Sequence, residues 1–118
     1  MLGENMKRVA NKDARICVQN REAFEGSNTF AEWRSTTYSP RDSRYIVYSY
    51  GKHWPLFIWE NGVWYENEDR ASPTTSKHRT QLHPHTETRL LPAGAMREIA
   101  AHGAVEYFIG RGDYPQAA

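Results

Sequence analysis

A chain of 118 residues fits one domain that can bury a modest core. Its formal charge of +1 excludes the bulk basic excess of a typical nucleic-acid binder, and an aromatic content of 13% argues against disorder. The single cysteine, Cys17, excludes an intrachain disulfide and any multi-cysteine zinc site.

No apolar run approaches the length of a membrane span, no Asn-x-Ser/Thr sequon occurs, and no signal-peptide core opens the sequence. The expectation is a soluble, cytoplasmic protein with no membrane partner. In chain order, residues 1–13 read as a flexible N-terminal arm, residues 14–110 as a single α+β domain and residues 111–118 as a tail. Residues 14–18 read as a short strand. Residues 21–33 read as a short helical turn, punctuated by Gly26, Ser27 and Asn28, that docks Phe24, Phe30 and Trp33 on the core. Residues 35–43 read as a loop, with turn chemistry at Ser39-Pro40-Arg41-Asp42.

The centre carries the clearest signal. "RYIVYSYG" from Arg44 is rich in β-branched and aromatic residues, and "LFIWE" and "VWYEN" follow on either side of Asn61-Gly62. Asparagine and glycine tolerate the positive φ that a type I′ hairpin turn requires. A two-residue loop pairs Glu60 with Val63 and Trp59 with Trp64. Phe57, Trp59 and Trp64 then share one face, while Ile58 and Tyr65 share the other. Residues 44–67 are therefore expected to form a three-stranded antiparallel meander.

Beyond it the charge changes sign: residues 66–69 are acidic, and residues 70–89 are basic and His-rich. After Pro92, Met96, Ile99, Ala100, Gly103 and Tyr107 fall on one helical face. That pattern favours one long helix through Gly103 over a helix stopped at His102 with "AVEYFI" as a last strand. The fold class is α+β: a small antiparallel β-sheet, a meander with an Asn-Gly hairpin, packed on one face by one or two helices.

Candidate chemistry concentrates in "TTSKHR". Thr74, Thr75 and Ser76 would offer hydroxyls and free N–H groups at a helix start, with Lys77, His78 and Arg79 adding cationic and imidazole groups, a set suited to one phosphate. The alternative is an ordinary helix start: Thr74 or Thr75 caps, and the basic side chains and histidines are solvated. No glycine-rich loop is present, so this is not a P-loop. His78, His83 and His85 do not share a ligating face, because Pro84 interrupts any helix between them. No metal and no cofactor are expected. Lys52, His53 and Trp54 sit in a strand connection beside Tyr48, Tyr50, Trp59, Trp64 and Tyr65, a row that could present exposed rings to a protein or to single-stranded nucleic acid. Ser76, Thr75 and Cys17 are the candidate nucleophiles, but spacing brings no base and carboxylate to any of them.

"RYIVYSYGKHWPLFIWENGVWYEN", "TTSKHRTQLHPH" and, more weakly, "SNTFAEW" together resemble a group of small proteins of unknown function carried by bacteriophages, prophages and plasmids. The resemblance runs from Asn28 to His85. It departs at Ala71 and Pro73, since the group commonly carries an aromatic before the serine. It implies a mobile-element origin and a bacterial cytoplasm, and no reaction. The function expected is a non-enzymatic accessory protein that binds and modulates a host protein or ribonucleoprotein complex, as defence inhibitors such as anti-CRISPR proteins do. A nucleic-acid-binding accessory protein that contacts phosphate through TTSKHR is the rival reading, and a small hydrolase or transferase is the third. A salt titration separates the first two, because phosphate contacts make affinity fall steeply with salt.

Overall fold

The structure, a computed structural model, describes residues 6–35 and 43–109. Seven strands form one sheet in sequence order: β1 (Lys7–Arg8), β2 (Phe24–Glu25), β3 (Thr29–Arg34), β4 (Arg44–Ser49), β5 (Pro55–Glu60), β6 (Val63–Asn67) and β7 (Arg89–Leu91). The inner pairings from β2 to β6 are antiparallel. The two outermost, β1 with β2 and β6 with β7, are parallel. A parallel pair needs a crossover. A 3₁₀ turn (Asn11–Asp13) and helix α1 (Arg15–Gln19) supply the first, and helix α2 (Pro73–Leu82) supplies the second. Helices α3 (Ala93–His102) and α4 (Ala104–Ile109) follow β7.

The class is α+β, and the meander of β4, β5 and β6 has the expected register: Trp59 faces Trp64 and Glu60 faces Val63. Asn61 (φ 51°) and Gly62 (φ 83°) both take the left-handed backbone of the turn. The sheet is larger than expected, and helices cover both of its faces. Tyr45, Val47, Phe57 and Trp64 pack against Cys17 and Val18 of α1 and Leu82 of α2. Ile46, Tyr48, Ile58 and Tyr65 pack against Met96, Ile99 and Ala100 of α3 and Phe108 of α4. This double cover explains why every residue of β4 is buried.

Four expectations are corrected. Residues 6–13, read as a loose arm, contribute β1 and the 3₁₀ turn. Residues 14–18 are helical, because α1 has to span the crossover between β1 and β2. Residues 21–33 form β2 and most of β3 instead of a helical turn; Phe24 is core as expected, but Trp33 is exposed. Gly103 (φ 92°) ends α3, and "AVEYFI" then starts a new helix. The turn at Ser39-Pro40-Arg41-Asp42, residues 1–5 and the tail at 111–118 lie outside the described residues.

The break at Gly103 is held by two buried charges on neighbouring strands. Arg44 of β4 donates from Nε and Nη2 to Ala100 O at 2.9 and 2.7 Å, closing the C-terminus of α3. Both carboxylate oxygens of Glu60, on β5, accept from Ala104 N at 3.0 and 3.1 Å at the start of α4. Each charge faces the end of the helix dipole that it stabilises.

Candidate functional site

Helix α2 begins two residues earlier than a Thr74 cap would place it. Ser72 is the N-cap, its Oγ accepting from Thr75 N at 3.1 Å, and Pro73 occupies the first turn, where its missing N–H costs nothing. Thr74 and Thr75 are therefore helical and neither caps. Thr75 is buried and Thr74 is exposed. The segment "TTSKHR" is divided among faces of the helix and does not converge on one phosphate. Lys77 points to solvent, while Ser76 and Arg79 turn to the other flank and line a cleft.

His78 is the clearest departure from a solvated histidine, because it is 3% exposed. Its Nδ1 lies 2.9 Å from Ser49 Oγ on β4, and its Nε2 lies 3.5 Å from Asn11 Nδ2. Asn11 Oδ1 in turn accepts from Thr29 Oγ1 at 2.7 Å. With the Asn11 amide oriented in this way it donates to Nε2, and Nδ1 then carries the proton and donates to Ser49. Burial, followed by the charge of Lys77, holds the imidazole below its ordinary value, consistent with a neutral ring. This serine–histidine pair pins α2 to the sheet. Ser49 has no exposed surface, so the pair presents no nucleophile to a substrate.

The charge reversal between residues 66–69 and 70–89 becomes contact. Glu66 of β6 receives Arg79 Nε at 2.5 Å, His83 Nε2 at 3.1 Å and Thr88 Oγ1 at 2.6 Å. Burial alone would raise this carboxyl, but the hydrogen bonds from Thr88 and Arg79 and the charges of Arg79 and His83 outweigh it and hold it below its ordinary value. Arg79 is thus turned inward to a partner and does not face solvent as a helix-start reading implies.

Around this carboxylate an open cleft of about 610 Å³ is lined by Arg15, Arg70, Arg79, His83 and His85. Ser76 and Thr80 complete the α2 side. Arg15 reaches across from α1 and donates to Thr80 O and to His83 O (3.0 Å), satisfying carbonyls at the C-terminal end of α2. Arg70 has no hydrogen-bond or ion-pair partner among the described residues. Three guanidinium groups and two imidazoles thus surround one carboxylate that is already saturated. Such a surface attracts anions.

The other expected patch, Lys52, His53 and Trp54, lies in the β4–β5 connection and does not join this cleft. Lys52 pairs with Glu32 at 3.4 Å, His53 is exposed, and Trp54 is partly buried against the core. The aromatic row is mostly structural: Tyr48, Trp64 and Tyr65 are buried, and Tyr50 is the exposed member. Among the described residues, no group of three or more His, Cys, Asp or Glu side chains could hold a metal ion, and no helix is long and apolar enough to cross a membrane.

Sequence reasoning missed Arg15, Glu66 and Arg70 as site residues. The available signal was the acidic run immediately before a basic one, which now reads as two segments folded onto each other. No protein-family model, no curated protein and no solved structure matches this chain. Function therefore has to be read from this chain's own residues.

Proposed function

We propose that this is a non-enzymatic accessory protein of a mobile element that binds and modulates a host macromolecular complex, with the cleft beside α2 as its contact surface. The observation that carries this reading is the charge imbalance of the cleft, where Arg15, Arg70 and Arg79 and two histidines meet a single saturated carboxylate. Excess positive charge in a recess suits an anionic partner and steers its approach. The serine–histidine contact, the nearest thing to a catalytic pair, is sealed in the core and supports binding over turnover. Inhibition of a host defence complex, including anti-CRISPR activity, is the specific role suggested by the small size and the mobile-element resemblance. The setting that follows is the cytoplasm of a bacterial host.

Affinity capture from a bacterial lysate, with the retained material eluted in steps of increasing salt, tests this reading. The expected result is a discrete host complex released as salt rises. An eluate with no host component above the level of an unrelated bait would overturn it.

A further inference from the structure

A second depression, of about 420 Å³, adjoins the basic cleft across residues 83–86. His83 and His85 border the first, and Pro84 and Thr86 border the second. Helix α1 flanks both, with Arg15 in one and Gln19, four residues on, in the other. The second depression is lined by Arg21, Trp59 and Trp64. The Arg21 guanidinium lies over the Trp59 ring, 4.5 Å from its centroid, and Trp33 meets the edge of that indole at 6.0 Å.

Arg21 is placed by the fold. Its backbone is left-handed (φ 54°), a conformation that a long side chain seldom adopts without support. The support comes from two sides: Arg21 N donates to Val18 O at 3.0 Å, and Trp33 Nε1 donates to Arg21 O at 2.9 Å. The outcome is a planar cation backed by an indole, with no ion-pair partner among the described residues.

We infer that the anionic partner is single-stranded nucleic acid: its phosphodiester backbone lies along Arg15 and Arg70, and a base stacks on the Arg21–Trp59 pair. The inference rests on the reading of the cleft as the partner surface and adds the partner's chemistry. A cationic track that continues into a flat stacking element is what unpaired strands use, because their bases are free to leave the stack. A duplex offers the phosphates but keeps its bases stacked internally. An oligoglutamate offers carboxylates, which pair with the edge of a guanidinium, but no ring to stack on the face of Arg21. The formal charge of +1 is no obstacle, because Arg15, Arg70 and Arg79 meet in one cleft whose carboxylate, Glu66, is already engaged by neighbouring donors.

Fluorescence anisotropy on the full chain tests this with three labelled probes: a mixed-sequence single strand about a dozen nucleotides long, the duplex of the same sequence, and an oligoglutamate peptide. The single strand should bind about tenfold or more tighter than either rival, with affinity falling as salt rises from about 50 to about 200 mM. Arg70→Gln, at an exposed position, should reduce the salt slope by about one. Arg21→Gly, which suits the left-handed backbone, should weaken single-strand binding about tenfold and leave duplex binding unchanged. A thermal melt of each variant confirms the fold. Equal binding of strand and duplex, or tighter binding of the peptide, overturns the inference. If none of the oligonucleotides binds while lysate capture still yields a host complex, the nucleic-acid inference fails and the partner-surface reading stands. Failure of both assays removes both.

Discussion

Glu66→Gln takes one charge from the centre of the cleft and preserves its shape. The wild-type carboxylate serves three donors: Arg79 Nε on one oxygen, and His83 Nε2 and Thr88 Oγ1 on the other. Glutamine keeps a single acceptor oxygen, so its amide must oppose either Arg79 Nε or His83 Nε2, donor against donor, while the Thr88 hydroxyl can turn to accept. A hydrogen bond to a charged group contributes about 1.5–3 kcal/mol, and the Glu66 and Arg79 side chains are only 7% and 22% exposed, so water replaces little of what is lost. The expected cost is about 2–3 kcal/mol near neutral pH, read as a lower urea midpoint at unchanged slope. The pH dependence supplies the sharper check. Glu66 sits below its ordinary value of 4.5 in the folded state, so the unfolded chain takes up the proton first as pH falls. The stability it contributes is present in full above about 4.5 and is lost as pH drops through the lower folded value. The gap between wild type and variant should therefore hold steady from neutral pH down to the ordinary value of 4.5 and close as pH falls further through the lower folded value. A gap under about 0.5 kcal/mol, or one unchanged in strong acid, would refute the claim that this carboxylate organises the cleft.

Ser72→Ala should cost about 1 kcal/mol, whereas Thr74→Ala should stay within about 0.5 kcal/mol; equal losses in chemical denaturation would contradict Ser72 as the cap. Gly62→Val opposes the left-handed backbone of the hairpin turn and should cost about 1 kcal/mol or more, and an unchanged denaturation midpoint would remove the type I′ assignment. His78 is held below its ordinary value of 6.5, so it contributes stability that is present above about 6.5 and lost as pH falls through the lower folded value. Stability of the wild type should decline from about pH 6.5 downward, and His78→Gln should flatten that decline; superimposable pH profiles would show that the buried ring does not titrate as argued.

The parts of the fold legible in the sequence were those set by local rules. Asn61-Gly62 demanded positive φ at both positions, and the two-residue loop then determined the register that places Trp59 opposite Trp64. Failures came where tertiary contact outweighed local pattern. In β3 the polar Thr29 and Glu32 are buried, Glu32 accepting from Tyr48 Oη at 2.8 Å, so the apolar alternation of a strand was masked. Within residues 14–18 the apolar run Ile16-Cys17-Val18 is too short for its periodicity to separate strand from helix. The site was half legible for the same reason. Residue types in "TTSKHR" were suggestive, yet which of them face the cleft depends on Glu66 and Ser49, which are remote in sequence. Reversing Arg79 would therefore disturb folding as well as binding, and the exposed cleft positions are the informative ones.

The most direct test of the central claim is to compare charge reversal on the two faces of the sheet. Arg70→Glu with His85→Asp alters exposed positions of the cleft, and aspartate tolerates the left-handed backbone of residue 85 (φ 57°). Arg97→Glu on α3 reverses one exposed charge on the opposite face. With each variant shown to melt as the wild type does, capture from the host lysate is quantified side by side. The cleft variant should lose the host complex by about tenfold or more while the α3 variant retains it. Retention by the cleft variant, or equal loss by both, would contradict the assignment of the α2 cleft as the partner surface.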